Sequence, residues 1–262
     1  MGSFLDSLEE NGLAGIPVAQ RSVKLLVSIR NCDEADLALR AGVDWIDVKD
    51  PTAGPLGAPT GDSAMEIYAS LQRFPSRSVA LGELHDLPVL GAPDLPASGP
   101  PYWVRHYPIA KIGLSEMAND ENWTDKLSQL TQKLLPETQL VPVIYADSHI
   151  CQAPTVAAVL EYARLSQCRH LLVDTFTKDG RGLLDFLTTS DIAELIELAQ
   201  QFHCDVVLAG SIRQEDLPAL LPLGASAIAV RGAVCQGGRR LDLCPTKLRQ
   251  WVELFRMQTR VA

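Results

Sequence analysis

The sequence predicts a single closed (β/α)8 barrel, and two observations support this fold class. Eight short apolar segments alternate with amphipathic segments along the chain. Strands that alternate with helices pair in parallel, and eight such units close into a barrel. The chain has 262 residues, 47% of them hydrophobic. This length suits one barrel of about 250 residues better than two smaller domains.

The eight strands are predicted at 24–29, 45–49, 78–84, 109–114, 139–146, 170–176, 205–210 and 227–232. The helical patterns lie at 33–41, 62–73, 119–134, 154–166, 190–202, 214–221 and 246–257. Asn119 and Asp191 stand where an N-cap or a first-turn acid belongs, and Gly42 and Gly224 stand where two helices should end. An open doubly wound sheet is the alternative. It would favour a glycine-rich phosphate-binding turn after the first strand, and SIRNCDEAD contains no glycine.

Two segments fall outside the regular pattern. Residues 1–22 are predicted to be an N-terminal extension to a catalytic barrel domain at 23–262. Residues 86–108 hold six prolines, which remove helical hydrogen bonds. We therefore expect an irregular, proline-rich third βα unit, in which a long loop replaces the helix and forms either a lid or a surface excursion.

Composition excludes several classes of protein. The net charge of −9 opposes a nucleic-acid-binding surface, which needs a basic footprint. No run of about 18 apolar residues is present to span a membrane. The opening MGSFLDSLEENGLAG lacks the basic region of a signal peptide, so a cytoplasmic protein is expected. The six cysteines form no CxxC pair, which predicts reduced thiols, no structural zinc and no metal or other cofactor.

The candidate catalytic residues follow from strand number. In an α/β barrel the reactive side chains gather at the C-terminal ends of the strands, and each interior layer is built from alternate strands. Asp47 and Lys49 are two residues apart on the second strand and point to the same face. Lys111 lies on the fourth strand, Asp174 on the sixth, and Lys178 just beyond it. Even-numbered strands therefore bring three amines and two carboxylates into the barrel.

This cluster predicts a reactive amine. Burial and neighbouring cations both lower the pKa of a lysine, and a neutral amine can form a Schiff base with a carbonyl group. The carboxylates can hold the other amines charged and shuttle protons. Lys49 is the candidate nucleophile. The alternative is an ordinary ion pair at the rim of the sheet, which any single lysine–aspartate pair could form.

Glycine and small residues after the last two strands predict a phosphate site. Gly210 and Ser211 follow the seventh strand, and Arg231 and Gly232 follow the eighth. The loops after these strands often bind phosphate in barrels, because small residues let backbone N–H groups approach the anion. Ordinary turn chemistry would place glycine there too. Combined with the amines, the pattern favours a phosphorylated carbonyl substrate such as a sugar phosphate.

Asp147 and His149 follow the fifth strand in YADSH. A carboxylate and an imidazole two residues apart could orient a hydroxyl group or move protons, and a structural role is equally open.

Several motifs together resemble the (5-formylfuran-3-yl)methyl phosphate synthase family. They are IDVKDPTAGPLGAP, the lysine in AKIGL, YADSH, VDTFTKDGRGLLDF, LAGSIR and VRGAVCQGG, in this order. The resemblance runs from about Lys24 to the C-terminal helix and leaves out the N-terminal extension. The family's third unit is more helical than the proline-rich segment here.

The resemblance implies a (β/α)8 TIM-barrel lyase that condenses two molecules of glyceraldehyde 3-phosphate. One phosphate is lost and a phosphorylated furan aldehyde is made, on the route to methanofuran-type C1 carriers. It implies that Lys49 forms the Schiff base, that Lys111 is the proton-transfer base, that Asp47 falls on the family's acidic position, and that Asp174 and Lys178 form its paired acid and amine. A small phosphorylated aldehyde and a second copy of the chain are the expected partners.

Two other functions remain open at this point. One is a Schiff-base aldolase for another sugar phosphate, since it would use the same lysine and phosphate site. The other is a non-catalytic barrel that binds a phosphorylated metabolite.

Overall fold

Eight parallel strands form the closed barrel. The computed structural model describes residues 22–71, 74–87 and 100–258. The strands pair in chain order and β8 closes onto β1, which confirms the (β/α)8 prediction and excludes the open sheet. They are β1 (Lys24–Ile29), β2 (Trp45–Val48), β3 (Arg77–Glu83), β4 (Ile109–Gly113), β5 (Gln139–Tyr145), β6 (His170–Asp174), β7 (Asp205–Leu208) and β8 (Ala227–Val230).

The helices pack around the outside of the strands. They are α1 (Cys32–Ala41), α2 (Gly61–Leu71), α3 (Trp123–Lys133), α4 (Ser148–Cys151), α5 (Val156–Leu165), α6 (Thr189–Gln201), α7 (Leu217–Leu220) and α8 (Pro245–Gln258). The short α4 is the one α-helix for which no helical pattern was predicted. Over the described ranges, no helix combines the length and the apolar character that crossing a membrane requires.

Helix ends follow the capping chemistry of the sequence in most places. Asn31 caps α1 by accepting the N–H of Glu34, and Gly42 ends that helix with a φ of 75°. Thr188 and Asp191 form a capping box at the start of α6. The interpretation of Asn119 as an N-cap is wrong, because turns through residue 120 delay the start of α3 to Trp123.

The third unit is irregular in its described part. Between β3 and β4 the described residues contain 3₁₀-helices at Leu84–Asp86 and Tyr102–His106 and no α-helix. Tyr107 follows the second of these, and its hydroxyl donates to the carbonyl oxygen of Ala64 in α2 at 2.7 Å. Residues 88–99, which carry half of the prolines, lie outside the described residues, and so do residues 1–21. The long-loop prediction and the domain boundary at residue 22 therefore stay predictions.

Alternation along the strands separates two apolar cores. One set, such as Val27, Ile46 and Ile112, is buried between the strands and the helices. The other set fills the barrel interior and includes Leu26, Ile109, Val141, Leu172, Val207 and Ala227. Interior positions recur every second residue, so the chain two residues beyond this apolar layer again points inward. That next layer holds the polar site.

A buried hydrogen-bond network fixes the ends of β3, β4 and β5. Glu83 accepts the hydroxyl of Tyr145 at 2.5 Å and both the N–H and the hydroxyl of Ser115, at 3.0 and 2.8 Å. Burial and the nearby carboxylate raise the pKa of Tyr145, so it remains a hydrogen-bond donor. Gly113 lies against the Glu83 carboxyl group, where a Cβ atom would overlap it.

We predict that Gly113→Ala destabilises the barrel by about 1–3 kcal/mol, because the added methyl group displaces Glu83 from its partners. Urea unfolding measures the change in the free energy of unfolding. Gly237→Ala is the matched control, since its added Cβ would meet mainly the side chain of Leu241, which is exposed and can move. Equal stability of the two variants would contradict the prediction.

Candidate active site

A cavity of about 520 Å³ opens at the C-terminal ends of the strands. Its walls come from β1, β4, β6 and β8 and from the loops after β2, β6, β7 and β8. Lys49, Lys111, Asp174 and Lys178 line it. Asp47 lies below them and is fully buried. The structure thus brings together the five side chains that strand number predicted to converge.

Asp47 is the most deeply held member of the cluster. Its carboxylate forms an ion pair with the Lys111 amine at 2.5 Å. It also accepts the hydroxyl groups of Ser28 at 3.0 Å and Ser78 at 2.7 Å. These serines occupy the paired positions on β1 and β3, so the backbone register supplies both donors. These three bonds fix the Asp47 carboxylate, which in turn holds the Lys111 amine in place.

Asp174 forms the second ion pair of the cavity. It accepts the amine of Lys178 at 2.8 Å and the N–H of Thr175 at 2.7 Å. Burial by itself would raise the pKa of Asp174. The positive charges of Lys178 and Lys49, with the two hydrogen bonds, outweigh burial and hold this pKa below its ordinary value.

Lys49 forms no ion pair with any carboxylate of the described residues. Its Nζ donates to the carbonyl oxygen of Pro55 at 3.2 Å. Burial lowers its pKa from 10.5 to about 7; Asp174 and Asp47 oppose this shift, and Lys111 and Lys178 add to it. The ammonium form is thereby disfavoured by roughly 5 kcal/mol relative to water. A substantial fraction of Lys49 is therefore neutral, and so nucleophilic, near pH 7.

The loop from Asp50 to Gly57 covers Lys49. The N–H of Asp50 donates to the carbonyl oxygen of Gly57 at 2.8 Å, and a Cβ atom at Gly57 would overlap the carbonyl oxygen of Asp50. This closure presents the carbonyl of Pro55 to the lysine amine. The role of this loop was not predicted from the sequence, although its unusual PTAGPLGAP composition signals a tight turn.

The loops after β7 and β8 form a further wall of the cavity. Gly210 has a φ of 99° and packs against Thr175, while Ser211 adopts a φ of 52° and is exposed. Ser211 and Gly232 both line the cavity. The strained backbone at Ser211 turns this segment toward the site.

Every N–H group of the Arg231 guanidinium group donates a hydrogen bond to an acceptor on the protein. It donates to both carboxylate oxygens of Glu34, at 2.8 and 3.2 Å, and to the carbonyl oxygens of Ser28, Arg239 and Leu241. A guanidinium group has five N–H donors, so none remains for a phosphate oxygen. Arg231 therefore anchors the loop after β8 rather than serving as the expected direct phosphate ligand.

Asp147 and His149 are not brought together as a pair. The Asp147 carboxylate is fully buried and accepts the N–H groups of Phe176 and Thr177 at 2.7 and 2.8 Å. His149 is exposed on α4. Asp147 thus shapes the loop that carries Lys178, while neither residue lines the cavity.

No metal centre is found among residues 22–71, 74–87 and 100–258, where no three His, Cys, Asp or Glu side chains lie close enough to hold an ion.

Fold and cavity together define a (β/α)8-barrel protein with a lysine–carboxylate site at the C-terminal ends of its strands. The fold resembles that of phosphoribosyl anthranilate isomerase from Thermus thermophilus, with a TM-score of 0.56 and 14% identity over 92% of this chain and 100% of that chain. At this identity the likeness shows the fold alone.

Sequence comparison shows the family. The 4-HFC-P synthase family model matches residues 25–252, and the chain belongs to this family. It is 34% identical to the (5-formylfuran-3-yl)methyl phosphate synthase of Methanopyrus kandleri, over 83% of this chain and 91% of the relative. It is 32% identical to the synthase of the same name from Methanocaldococcus jannaschii, over 82% and 92%. The resemblance stated from the motifs is confirmed, and the chain is an enzyme of this family.

We predict that Lys49 titrates near pH 7. Its amine should react with a trace of acetic anhydride half-maximally at about pH 7, whereas exposed lysines should do so near pH 10.4. Peptide mass mapping across a pH series measures each lysine separately. Asp174→Asn should move the midpoint of Lys49 lower, because it removes a carboxylate that favours the ammonium form. A Lys49 midpoint close to that of the exposed lysines would contradict the prediction.

Proposed function

We propose that this enzyme condenses two molecules of glyceraldehyde 3-phosphate through a Schiff base on Lys49. The product is (5-formylfuran-3-yl)methyl phosphate, formed with loss of one phosphate and of water, in methanofuran-type C1-carrier biosynthesis in the cytoplasm. The observation that carries the proposal is the cavity-lining amine with a pKa of about 7. The names of the relatives supply the product.

Lys49 is the covalent residue in this proposal. Its neutral amine attacks the aldehyde carbon of the first substrate, and the adduct loses water to give an iminium ion. The positive nitrogen acidifies the neighbouring carbon, whose deprotonation lets phosphate leave. Tautomerisation then makes the carbon that lost phosphate nucleophilic, and this carbon attacks the middle carbon of the second triose phosphate after that molecule has isomerised to its ketone form. Cyclisation through the free hydroxyl group of the second triose, with loss of two water molecules, gives the furan ring with its phosphorylated branch.

Proton transfer is assigned to the groups that surround Lys49. Lys111 and Lys178 each share a proton with a carboxylate, at 2.5 Å from Asp47 and 2.8 Å from Asp174. Both amines line the cavity and can exchange protons with a bound substrate. We assign proton transfer to these groups together, because the charges of all four act on Lys49.

Phosphate recognition is assigned to the wall formed by the loops after β7 and β8. Gly210, Ser211 and Gly232 offer backbone N–H groups, a hydroxyl group and little steric bulk at the cavity. Anion binding by such backbone groups is common at these loops in barrels. Arg231 supports this wall indirectly through its bonds to Glu34 and to the loop carbonyls.

A Schiff-base aldolase that acts on another sugar phosphate is the competing function, because it would need the same amine and phosphate site. Family membership favours the synthase. The products separate the two, since only the synthase releases an aromatic aldehyde that absorbs in the ultraviolet.

We predict that the wild-type enzyme converts glyceraldehyde 3-phosphate to a furan aldehyde phosphate and that Lys49→Arg lowers this rate to that of the uncatalysed reaction. Arginine keeps a positive charge but cannot form an imine, so the fold should survive while turnover is lost. Ultraviolet absorbance, mass spectrometry and phosphate release measure the product.

Lys126→Arg is the matched control, because Lys126 lies on α3 and pairs with Asp120 away from the cavity. It should retain wild-type turnover. A Lys49→Arg enzyme that still makes the furan would exclude the Schiff-base mechanism, and a wild-type enzyme that makes a non-aromatic sugar phosphate would exclude the synthase activity.

A further inference from the structure

More cationic side chains line the cavity than form ion pairs with carboxylates. Four of the cationic side chains that line it have carboxylate partners within 3.6 Å: Lys111, Lys178, Arg213 and Arg231. Burial leaves a substantial fraction of Lys49 neutral near pH 7. The two other cationic side chains of the cavity wall are Lys247, whose amine donates to the carbonyl oxygen of Cys235 at 2.9 Å, and Arg239.

Arg239 supplies a charge that remains available to an anionic ligand. It sits in the turn of a small hairpin after β8, in which Cys235 bridges Leu243 and the N–H of Leu241 donates to Gly238. One nitrogen of its guanidinium group, Nη2, donates to the carbonyl oxygen of Gly54 at 2.7 Å. Among the residues that the structure describes, no carboxylate forms an ion pair with Arg239. It is a half-buried cation facing the cavity without a counter-ion.

Its surroundings suit an anion. Burial lowers the pKa of Arg239, with a smaller opposing effect from Asp174, so the guanidinium group has lost hydration that an anionic ligand would restore. The backbone of Arg239 lies beside Gly232, where a Cβ atom would come within 3.8 Å of its N atom. The backbone of Arg239 therefore belongs to the same part of the wall as Gly232, and its guanidinium group reaches from there to the loop at 50–57.

We propose that Arg239 is the arginine that binds a substrate phosphate, in the place that the sequence assigned to Arg231. This inference rests on the proposed function, because it assumes a phosphorylated substrate in the cavity. A planar guanidinium group binds two phosphate oxygens through parallel N–H bonds, and the donors not used by Gly54 are available for them.

The bond to Gly54 also connects Arg239 with the loop that covers Lys49. Gly54 and Pro55 are consecutive, and the carbonyl of Pro55 accepts the amine of Lys49. A phosphate held by Arg239 is therefore bound close to the loop that covers the reactive lysine. Phosphate recognition and the covering of Lys49 would then occur at one place.

Calorimetric titration with glycerol 3-phosphate tests the proposal. This probe carries the phosphate but has no carbonyl group, so its binding does not depend on imine formation. We expect Arg239→Gln to weaken binding by about 10-fold or more, the range for loss of a charge-assisted hydrogen bond. Arg240→Gln is the matched control: this neighbouring arginine has an exposed side chain and should bind as the wild type does.

Arg239→Lys separates a phosphate contact from a purely structural role. Lysine keeps the positive charge without the fork, so binding should fall between that of the wild type and Arg239→Gln, with an unchanged melting temperature. Equal affinity of the wild type and Arg239→Gln, or no binding of the probe by the wild type, would overturn the proposal. Equal loss in the lysine and glutamine variants would overturn it too, in favour of a role limited to holding Gly54.

The outcome of this titration does not decide whether the enzyme has the proposed synthase activity. Calorimetry reports only the phosphate contact, whereas product analysis with the Lys49 variants reports the reaction. A phosphate-binding Arg239 in an enzyme that makes no furan would retain this inference and reject the proposed activity.

Discussion

Three amines, two of them buried and one partly buried, share two buried carboxylates, and this imbalance is the constraint on which the site depends. Asp47 holds Lys111 and Asp174 holds Lys178, so Lys49 is left without a carboxylate of its own. A low-dielectric environment penalises an isolated ammonium ion, and the two neighbouring ammonium groups increase this penalty. The neutral amine is the result. Adding a third carboxylate would keep Lys49 charged, and removing one pair would leave an uncompensated charge in the barrel.

The barrel makes this imbalance possible because it fixes which side chains meet. Interior positions recur at every second residue of a strand, and the apolar layer of Leu26, Ile109 and Leu172 closes the interior below the site. The polar layer begins two residues later on the same strands, with Ser28, Lys111 and Asp174. The cavity opens onto this polar layer, while burial among these side chains supplies the desolvation that Lys49 requires.

Strand periodicity and strand number were sufficient to predict the barrel and the convergence of the five charged residues. Both depend on the backbone alone: alternation decides which residues point inward, and parallel pairing aligns the strand ends. The same reasoning failed for Asn119, because the turn chemistry of residues 117–122 determined where α3 begins. Strand periodicity gave no prediction for the loop at 50–57, because its closure depends on contacts between residues seven apart in sequence.

The arginines show the limit of sequence reasoning most clearly. Arg231 follows a strand and looks like an anion ligand, yet it is bound by Glu34, which lies 197 residues away in sequence. Nothing local to VRG reveals that partner. Arg239 stands in a glycine-rich hairpin that reads as an ordinary turn, and its access to the cavity depends on Gly54, which is 185 residues away. Long-range contacts decide which cation is available to the substrate.

Chemical trapping of the imine tests the central claim most directly. The enzyme is incubated with glyceraldehyde 3-phosphate in the presence of borohydride, digested, and mapped by mass spectrometry. A substrate-derived adduct on Lys49 is the predicted result, because it is the amine that the imbalance of charges leaves neutral. An adduct on Lys111 or Lys178 would contradict the assignment of the nucleophile. No adduct under conditions that trap a Schiff-base aldolase would contradict the covalent mechanism itself.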